Sequence, residues 1–368
     1  MNLELSDEQL ALRDTTRRFL ADKAPLAGHV RALLDDPVGV EDTVWRGLAD
    51  LGTTGLLVPE EHGGAGMTMV EAGVVAEELG AALHPGPWLS TAVAAPRALT
   101  RLCEKGLAAP ILAGIADGTT IATVGFLDGG TVSAEAAGDA VVLHGELDGV
   151  PDAAVAAVLL VLGADPAALY AVYTDAPGFT ARPQGGIDKT RKRFRVSLNG
   201  TPAQRLTGAG PVDVGAVIDD VLIATAADAL GAARAVMDLA VEYAKFRRQF
   251  GRAIGSFQAI QHLCVDMYET VELARGGVIH ALWAADAELD AGERHLAALR
   301  TKAFSGRLAT VGDTAIQVFG GIGYTWEHDA HLYLKRLLGW CELLGGPDRY
   351  LTELGARLSS ISNPSKRS

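Results

Sequence analysis

Apolar positions near the N-terminus recur with a helical period. Ser6 and Gln9 are spaced as a capping box ahead of Leu10, Leu12, Phe19 and Leu20, which predicts a first helix. A second helix is expected over 41–51, stopped by Gly52, and a third from about Met69 to Leu83. Helical pattern continues to about Asp117, broken by Pro85, Gly86 and Pro87. From about 119 to 209 the texture changes to short alternating runs such as VVLHGEL, ALYAVYTD and RFRVSLNG, separated by Gly, Asp and Pro. That alternation predicts strands. Helical periodicity returns at Ala216. The segment 221–236 is Ala-rich and apolar on nearly every side, so it reads as a buried helix. Further helices are expected over about 256–287, 292–319 and 327–340, and the tail SSISNPSKRS is expected to fray. The fold class is therefore mainly α with a middle β domain. The boundaries are 1–118 for an N-terminal α domain, 119–210 for the β domain and 211–368 for a C-terminal helical bundle.

Composition narrows the function. The chain has 368 residues, 49% of them apolar, enough for an extensive core. The formal net charge of −13 argues against a nucleic-acid binder, which needs a basic surface. No apolar run has the length of a membrane span, and MNLELSDEQL lacks the pattern of a secretory signal. Three widely spaced cysteines, Cys103, Cys264 and Cys341, fit reduced thiols in a cytosol and no metal site. A cytoplasmic enzyme without metal or membrane is the expectation.

Three stretches carry more specific information. They are VPEEHGGAGMTMVEAGVVAEELG (58–80), YAKFRRQFGRAIGSFQAIQHLCVDM (243–267) and AIQVFGGIGYTWEHDAHLYLKR (315–336). On spacing alone, Arg247 and Arg248 are cations suited to a helix C-terminus, and Gly320-Gly321 is a helix-ending turn. Taken together, the order and spacing of the three resemble the acyl-CoA dehydrogenase family over nearly the whole chain. The resemblance implies an α domain, a β-barrel-like domain and a four-helix bundle. It also implies FAD, an acyl-CoA substrate, and α,β-dehydrogenation in which a carboxylate removes the α-proton. An electron-transfer flavoprotein is the implied electron acceptor. By the resemblance, the motif at 247–258 reaches a neighbouring subunit's FAD. Arg247 would meet the pyrophosphate, and Gln249, Phe250, Phe257 and Gln258 would line the nucleotide. Gln317, Gly320 and Gly321 would hold its adenosine end. Arg248 is left as a surface or interface cation.

The family's general base is absent from both places the resemblance puts it. The commoner position falls on Leu344, within CELLGGPDR, and the second falls on Val221, followed by Leu222. Neither aliphatic side chain accepts a proton. Glu342 and Asp220 are nearby carboxylates, displaced by two residues and one. A single-residue shift on a helix turns a side chain by about 100°. The family's flavin-contacting loop corresponds to GFLDGGTVSAEAAGDAVVLHGEL (125–147) and is shortened. The next flavin strand corresponds to VPDAA (150–154) and lacks its aromatic. These departures resemble the base-lacking subunit of bacterial heteromeric members, an α2β2 assembly in which a second, dehydrogenase-like subunit supplies the base. Two alternatives stand beside it: a self-sufficient homotetramer with a displaced base, and a non-redox acyl-CoA-binding or structural relative. Ala224, Ala226, Ala227 and Gly231 either leave room for a bulky acyl group such as a sterol side chain or permit close helix packing.

Overall fold

A computed structural model describes residues 4–104, 106–137, 140–164, 167–208, 212–287 and 289–362. The first helix, α1 (Asp7–Lys23), begins with the expected capping box: Ser6 N–H donates to Gln9 Oε1 at 2.9 Å and Gln9 N–H to Ser6 Oγ at 3.3 Å. A π-helical turn (Leu26–Val30) and the single turn α2 (Arg31–Leu33) lead to α3 (Asp42–Asp50) and α4 (Met69–Ala81). A second capping box, Thr68 with Glu71, starts α4. A second π-helical segment (Leu89–Ala94) runs into α5 (Ala95–Leu102), and α6 (Ala109–Ala116) follows.

Among the described residues, seven strands form the middle of the chain. They are β1 (Ala122–Val124), β2 (Gly130–Ala137), β3 (Ala140–Pro151), β4 (Val158–Ala164), β5 (Ala167–Tyr173), β6 (Phe179–Gln184) and β7 (Arg193–Arg205). Their order is β1-β4-β5-β7-β3-β2, with β6 also on β7. The β1–β4 pair is parallel and the others are antiparallel. β7 joins the two halves: it pairs β3 and β6 along most of its length and meets β5 at Tyr170↔Arg205.

The C-terminal region is built on α7 (Gly215–Phe246), followed by a small β8–β9 hairpin (Arg248–Gln249 and Arg252–Ala253) and α8 (Gln258–Asp286). The segment expected as one helix over 292–319 is two, α9 (Ala291–Ala303) and α10 (Ser305–Phe319). They break at Phe304, whose N–H takes a tightened bond to Thr301 as well as one to Arg300. α11 (Ala330–Glu342) and α12 (Pro347–Ser362) complete the chain. The expectation missed α12, which opens with proline at its first position, a favoured start. Residues 363–368 of the tail expected to fray lie outside the described residues.

One close contact sets the arrangement. A Cβ placed on Gly231 of α7 would lie 1.8 Å from the Glu77 carbonyl oxygen, and one on Gly80 of α4 would lie 1.8 Å from that of Asp228. Each glycine lets the other helix's backbone touch it. Gly231 therefore serves close packing and leaves no acyl space. Ala224, Ala226 and Ala227 are buried in the same core. Ion pairs flank the crossing: Arg234 with Glu77 and Glu78, Arg17 with Glu78, and Arg275 with Glu77.

At the same crossing Asp228 is buried between two arginines. Arg336 Nε lies at 2.8 Å from Asp228 Oδ1, and Arg191 Nη2 at 2.5 Å from Oδ2. Arg336 also donates to the His84 carbonyl at 3.1 Å and to the Thr190 hydroxyl. Burial opposes charge on Asp228, but Arg191 and Arg336 outweigh it and hold the carboxyl below its usual range. The cluster pins α7, α11, the chain ahead of β7 and the segment after α4 to one point. Asp228→Ala should cost about 3–5 kcal/mol, because it strands two buried guanidinium groups. Chemical denaturation measures this, and a loss under about 1 kcal/mol would show that the cluster does not hold these elements together.

Candidate functional site

The sequence-predicted residues fall into two groups with opposite surroundings. The first faces outward at the end of α7. There the chain leaves the helix at Arg247, whose backbone is extended (φ −63°, ψ 126°). The Ile254 N–H closes the hairpin neck on the Arg247 carbonyl at 2.8 Å. Phe250 and Gly251 form the turn, with φ of +50° and +77°. Two consecutive left-handed residues are the signature of a tight hairpin turn, which favours Asn-Gly. Phenylalanine there is strained, yet its ring is 93% exposed and Phe246 beside it is 69% exposed. Arg252 lies 4.1 Å over the Phe257 ring, and Phe257 meets Phe250 edge-on at 6.1 Å. Arg247, Gln249 and Gln258 are also exposed, and Arg247 has no ion pair among the described residues.

The second motif joins this face. α10 stops at Phe319, and Gly320 turns the chain with φ +65°. Tyr243, one turn before Arg247, packs on Phe319 with ring centroids 5.0 Å apart. This contact was not foreseen from the sequence, although Tyr243 lies within the quoted motif. It brings 247–258 and 317–321 to one surface across about seventy residues of chain. Gln317, Gly320 and Gly321 are exposed, and a Cβ on either glycine would meet nothing within 4 Å. Positive φ explains Gly320. At Gly321 no neighbour in this chain requires the missing side chain. The surface thus offers an unpaired guanidinium, exposed aromatic rings and a bare glycine backbone, a donor set suited to a phosphate-bearing aromatic ligand.

The second group is closed. Leu344, with φ +59°, sits between α11 and α12. Its carbonyl accepts from Tyr350 Oη at 2.8 Å and its side chain packs on a cluster of Leu222, Leu296, Leu299 and Tyr350. Val221 is buried in a separate apolar cluster beneath α5 and α6. Lys302 Nζ donates to the carbonyls of Trp340 at 2.5 Å and Cys341 at 2.9 Å, fixing the end of α11. Glu342 is exposed at that end.

Asp220 is buried and turned toward α5, where Arg101 Nε reaches it at 2.8 Å and Arg97 Nε at 3.6 Å. Desolvation raises its pKa from 3.8 to about 6 despite these partners. Next to it a cavity of about 360 Å³ is bounded by Asp219, Asp220, Arg294, His295 and Arg357. His295 bridges α7 to α12, with Nδ1 at 2.9 Å from Asp219 and Nε2 at 3.1 Å from Glu353. None of these pairings was visible in the sequence, since their partners lie 58 to 123 residues apart.

The stretch 150–154 is closed as well. Asp152 is buried and accepts from Ser90 Oγ at 2.7 Å, beside the Arg191–Asp228–Arg336 cluster. Burial raises its pKa. Among the described residues of 150–154 no aromatic ring is present, and buried ions occupy this part of the interior.

Comparison with known proteins gives the family. An acyl-CoA dehydrogenase N-terminal domain matches residues 6–119, and an acyl-CoA dehydrogenase C-terminal domain matches 221–358. The chain belongs to the acyl-CoA dehydrogenase family. It is 35% identical to the acyl-CoA dehydrogenase IpdE2 of Mycolicibacterium smegmatis over 96% of this chain and 100% of that protein. It is also 35% identical to FadE34 of Mycobacterium tuberculosis, over 96% of this chain but 48% of that longer protein. Among solved structures, a Tcur3481-Tcur3483 steroid acyl-CoA dehydrogenase variant aligns with a TM-score of 0.86 at 29% identity, covering 97% of this chain and 99% of that one. The ChsE4-ChsE5 complex of Mycobacterium tuberculosis aligns with a TM-score of 0.87 at 25% identity, covering 98% and 99%.

This member of the acyl-CoA dehydrogenase family has the fold class its sequence predicts, with α12 added to the bundle. Two measurements test the site. The Asp220 carboxyl should titrate near pH 6 by carbon-13 NMR. The unfolded chain releases that proton near 3.8, so folding retains it in between. This contribution to stability therefore falls as pH rises from about 4 to 6, and titration near 4 would show that the two arginines outweigh burial. Separately, Phe250→Asn should relieve the turn and stabilise the isolated chain by about 0.5–1 kcal/mol. A loss of stability on thermal melting would show that the ring supports its own chain.

Proposed function

We propose that this chain is the base-lacking subunit of a heteromeric, FAD-dependent acyl-CoA dehydrogenase, and that it completes the FAD site of a catalytic partner. The observation that carries this reading is the split just described. Both base positions, Leu344 and Val221, are packed into apolar clusters, while the nucleotide-facing residues stand exposed at the end of α7. An enzyme working alone needs both halves. This chain presents one.

Each exposed residue has a role that fits the absent group. Arg247 would hold the pyrophosphate through a charge-assisted bond. Gln249, Phe250, Phe257 and Gln258 would line the nucleotide, and Gln317 with the bare backbone of Gly320 and Gly321 would receive the adenosine end. The open space over those glycines and the unpaired Arg247 are the features of this structure that fit FAD. When bound, FAD supplies hydride acceptance for α,β-dehydrogenation of the thioester. The partner subunit supplies the proton-abstracting carboxylate, and an electron-transfer flavoprotein is the proposed acceptor. The Tcur3481-Tcur3483 neighbour is described as a steroid enzyme and ChsE4-ChsE5 as a complex of two proteins. They support a two-protein assembly acting on a steroid-derived acyl-CoA, for which we propose an α2β2 arrangement.

Co-production with a dehydrogenase-like partner tests the reading. The complex should carry one FAD per pair of chains and oxidise a steroid-derived acyl-CoA, whereas the chain alone should be colourless. Arg247→Ala should weaken flavin retention roughly ten- to a hundredfold, the worth of a charge-assisted bond. If the purified chain alone binds one FAD per subunit and turns over acyl-CoA, a displaced base such as Asp220 is at work and the proposal is wrong. If no flavin binds even with the partner, the chain is a non-redox relative.

A further inference from the structure

Phe319 is the last residue of α10 and is buried. Its ring meets two others. Tyr243 of α7 lies 5.0 Å away between ring centroids, and His328, just ahead of α11, lies 4.2 Å away at an angle of 47°. A line of rings thus runs from the end of α7, past the Gly320 turn, to the start of α11. The chain between Phe319 and His328 is the 3₁₀ turn Gly320–Tyr324 and a short return, in which the His328 N–H donates to the Thr325 carbonyl at 3.2 Å.

His328 is held in one protonation state. The Ala330 N–H, first of α11, donates to His328 Nδ1 at 3.1 Å. A ring nitrogen that accepts carries no proton, so the imidazole is neutral with its proton on Nε2. Asp329, next in the chain, favours charge on the ring. Arg31 of α2, which donates to Asp329 at 2.7 Å, opposes it. His331 of α11 is also within electrostatic reach. α10 presents the Phe319 ring, whose face attracts a cation. The start of α11 repels one, being the positive end of a helix dipole. Burial is the largest influence and holds the His328 pKa below its usual value.

We propose that His328 positions the Gly320-Gly321 backbone for the nucleotide by bracing Phe319, and that taking a proton from solvent undoes the brace. This rests on the reading that the surface around Arg247 receives FAD. Neutral His328 is tied to α11 through Nδ1, and its ring supports Phe319, the neighbour of Gly320. A proton on Nδ1 turns that acceptor into a donor facing the Ala330 N–H. The ring must then turn away, and Phe319 loses its support. Gly320 has no side chain to anchor it and follows Phe319. The nucleotide surface therefore loosens as pH falls through the His328 pKa.

The test follows His328 and Gly320 together in the full chain. Labelling phenylalanine carbonyls with carbon-13 and glycine with nitrogen-15 selects the Phe250-Gly251 and Phe319-Gly320 peptides, and Phe250→Asn removes the first. The Gly320 amide should shift on acidification with the midpoint of the His328 ring, below about 6.5. His328→Gln accepts the Ala330 N–H without titrating and should abolish that shift. In the complex with the co-produced partner, His328→Ala should weaken flavin retention about tenfold at neutral pH, the worth of one hydrogen bond. His328→Gln should rescue it. Retention by the unaltered complex should fall between about pH 7 and 5, and the His328→Gln complex should lose that fall. The inference is overturned if the Gly320 amide does not follow His328, or if the His328→Gln complex releases flavin with the same pH dependence. A complex that binds no flavin overturns the reading of the site instead, and the Gly320 titration in the chain alone still decides whether His328 is the brace.

Discussion

The contact on which this molecule depends is the glycine-mediated crossing of α4 and α7. Gly80 and Gly231 each remove a side chain where the other helix's carbonyl needs the space. Any larger residue would force the helices apart and move Asp228, which lies on the crossing. That displacement would break the pairings of Asp228 with Arg191 and Arg336. A buried carboxylate between two guanidinium groups contributes little against a well-packed apolar alternative. It does fix position, because three groups carrying many donors and acceptors have few ways to be satisfied together. The crossing therefore sets the height of α11 and of the chain entering β7 relative to α7.

From this follows the asymmetry between the two halves of the site. The inner half is filled by side chains that satisfy one another: Asp152 with Ser90, Asp228 with its arginines, Asp220 with Arg97 and Arg101, and Leu344 with Leu222. On the proposed reading, the loss of the base is thus not one substitution. Leu344 and Leu222 belong to one apolar cluster with Tyr350 of α12, and Tyr350 also holds the Leu344 carbonyl. A carboxylate at 344 would replace an apolar side chain packed on that cluster and be partly desolvated there. The outer half has the reverse character. Its cations and rings are exposed and its glycines face open space.

Much of this was legible in the sequence, for identifiable reasons. The capping box at Ser6, the Ala-rich run of α7 and the alternating strands are local patterns, and local patterns survive in the fold. The resemblance could point to 247–258 and 317–321 because the residues of each motif are contiguous in the sequence. The inner half was legible only as a loss. That Leu344 lacks a proton acceptor is written in the chain, but what replaced the chemistry is not. Arg336 finds Asp228 across 108 residues, and His295 finds Asp219 across 76. No spacing rule reaches that far. α12 is not legible from GGPDR read as a loop, because its proline is the first residue of the helix. The small residues of α7 were ambiguous until the distance from Gly231 to the Glu77 carbonyl identified packing as their use.

Phe250 shows why the exposed half must be read with something outside the chain. A left-handed phenylalanine at a hairpin tip carries strain on the order of 1 kcal/mol and, at 93% exposure, obtains no burial in return. Asparagine would occupy the turn without that strain. Within one chain, then, Phe250 is a loss on both counts. It makes physical sense only if the ring is buried elsewhere, and burying a phenylalanine is worth about 1.5–3 kcal/mol, more than the strain it carries. Phe257, itself stacked under Arg252, meets the Phe250 ring edge-on from behind. The hairpin is therefore presented for a contact outside its own chain, which is what the proposed two-subunit reading calls for.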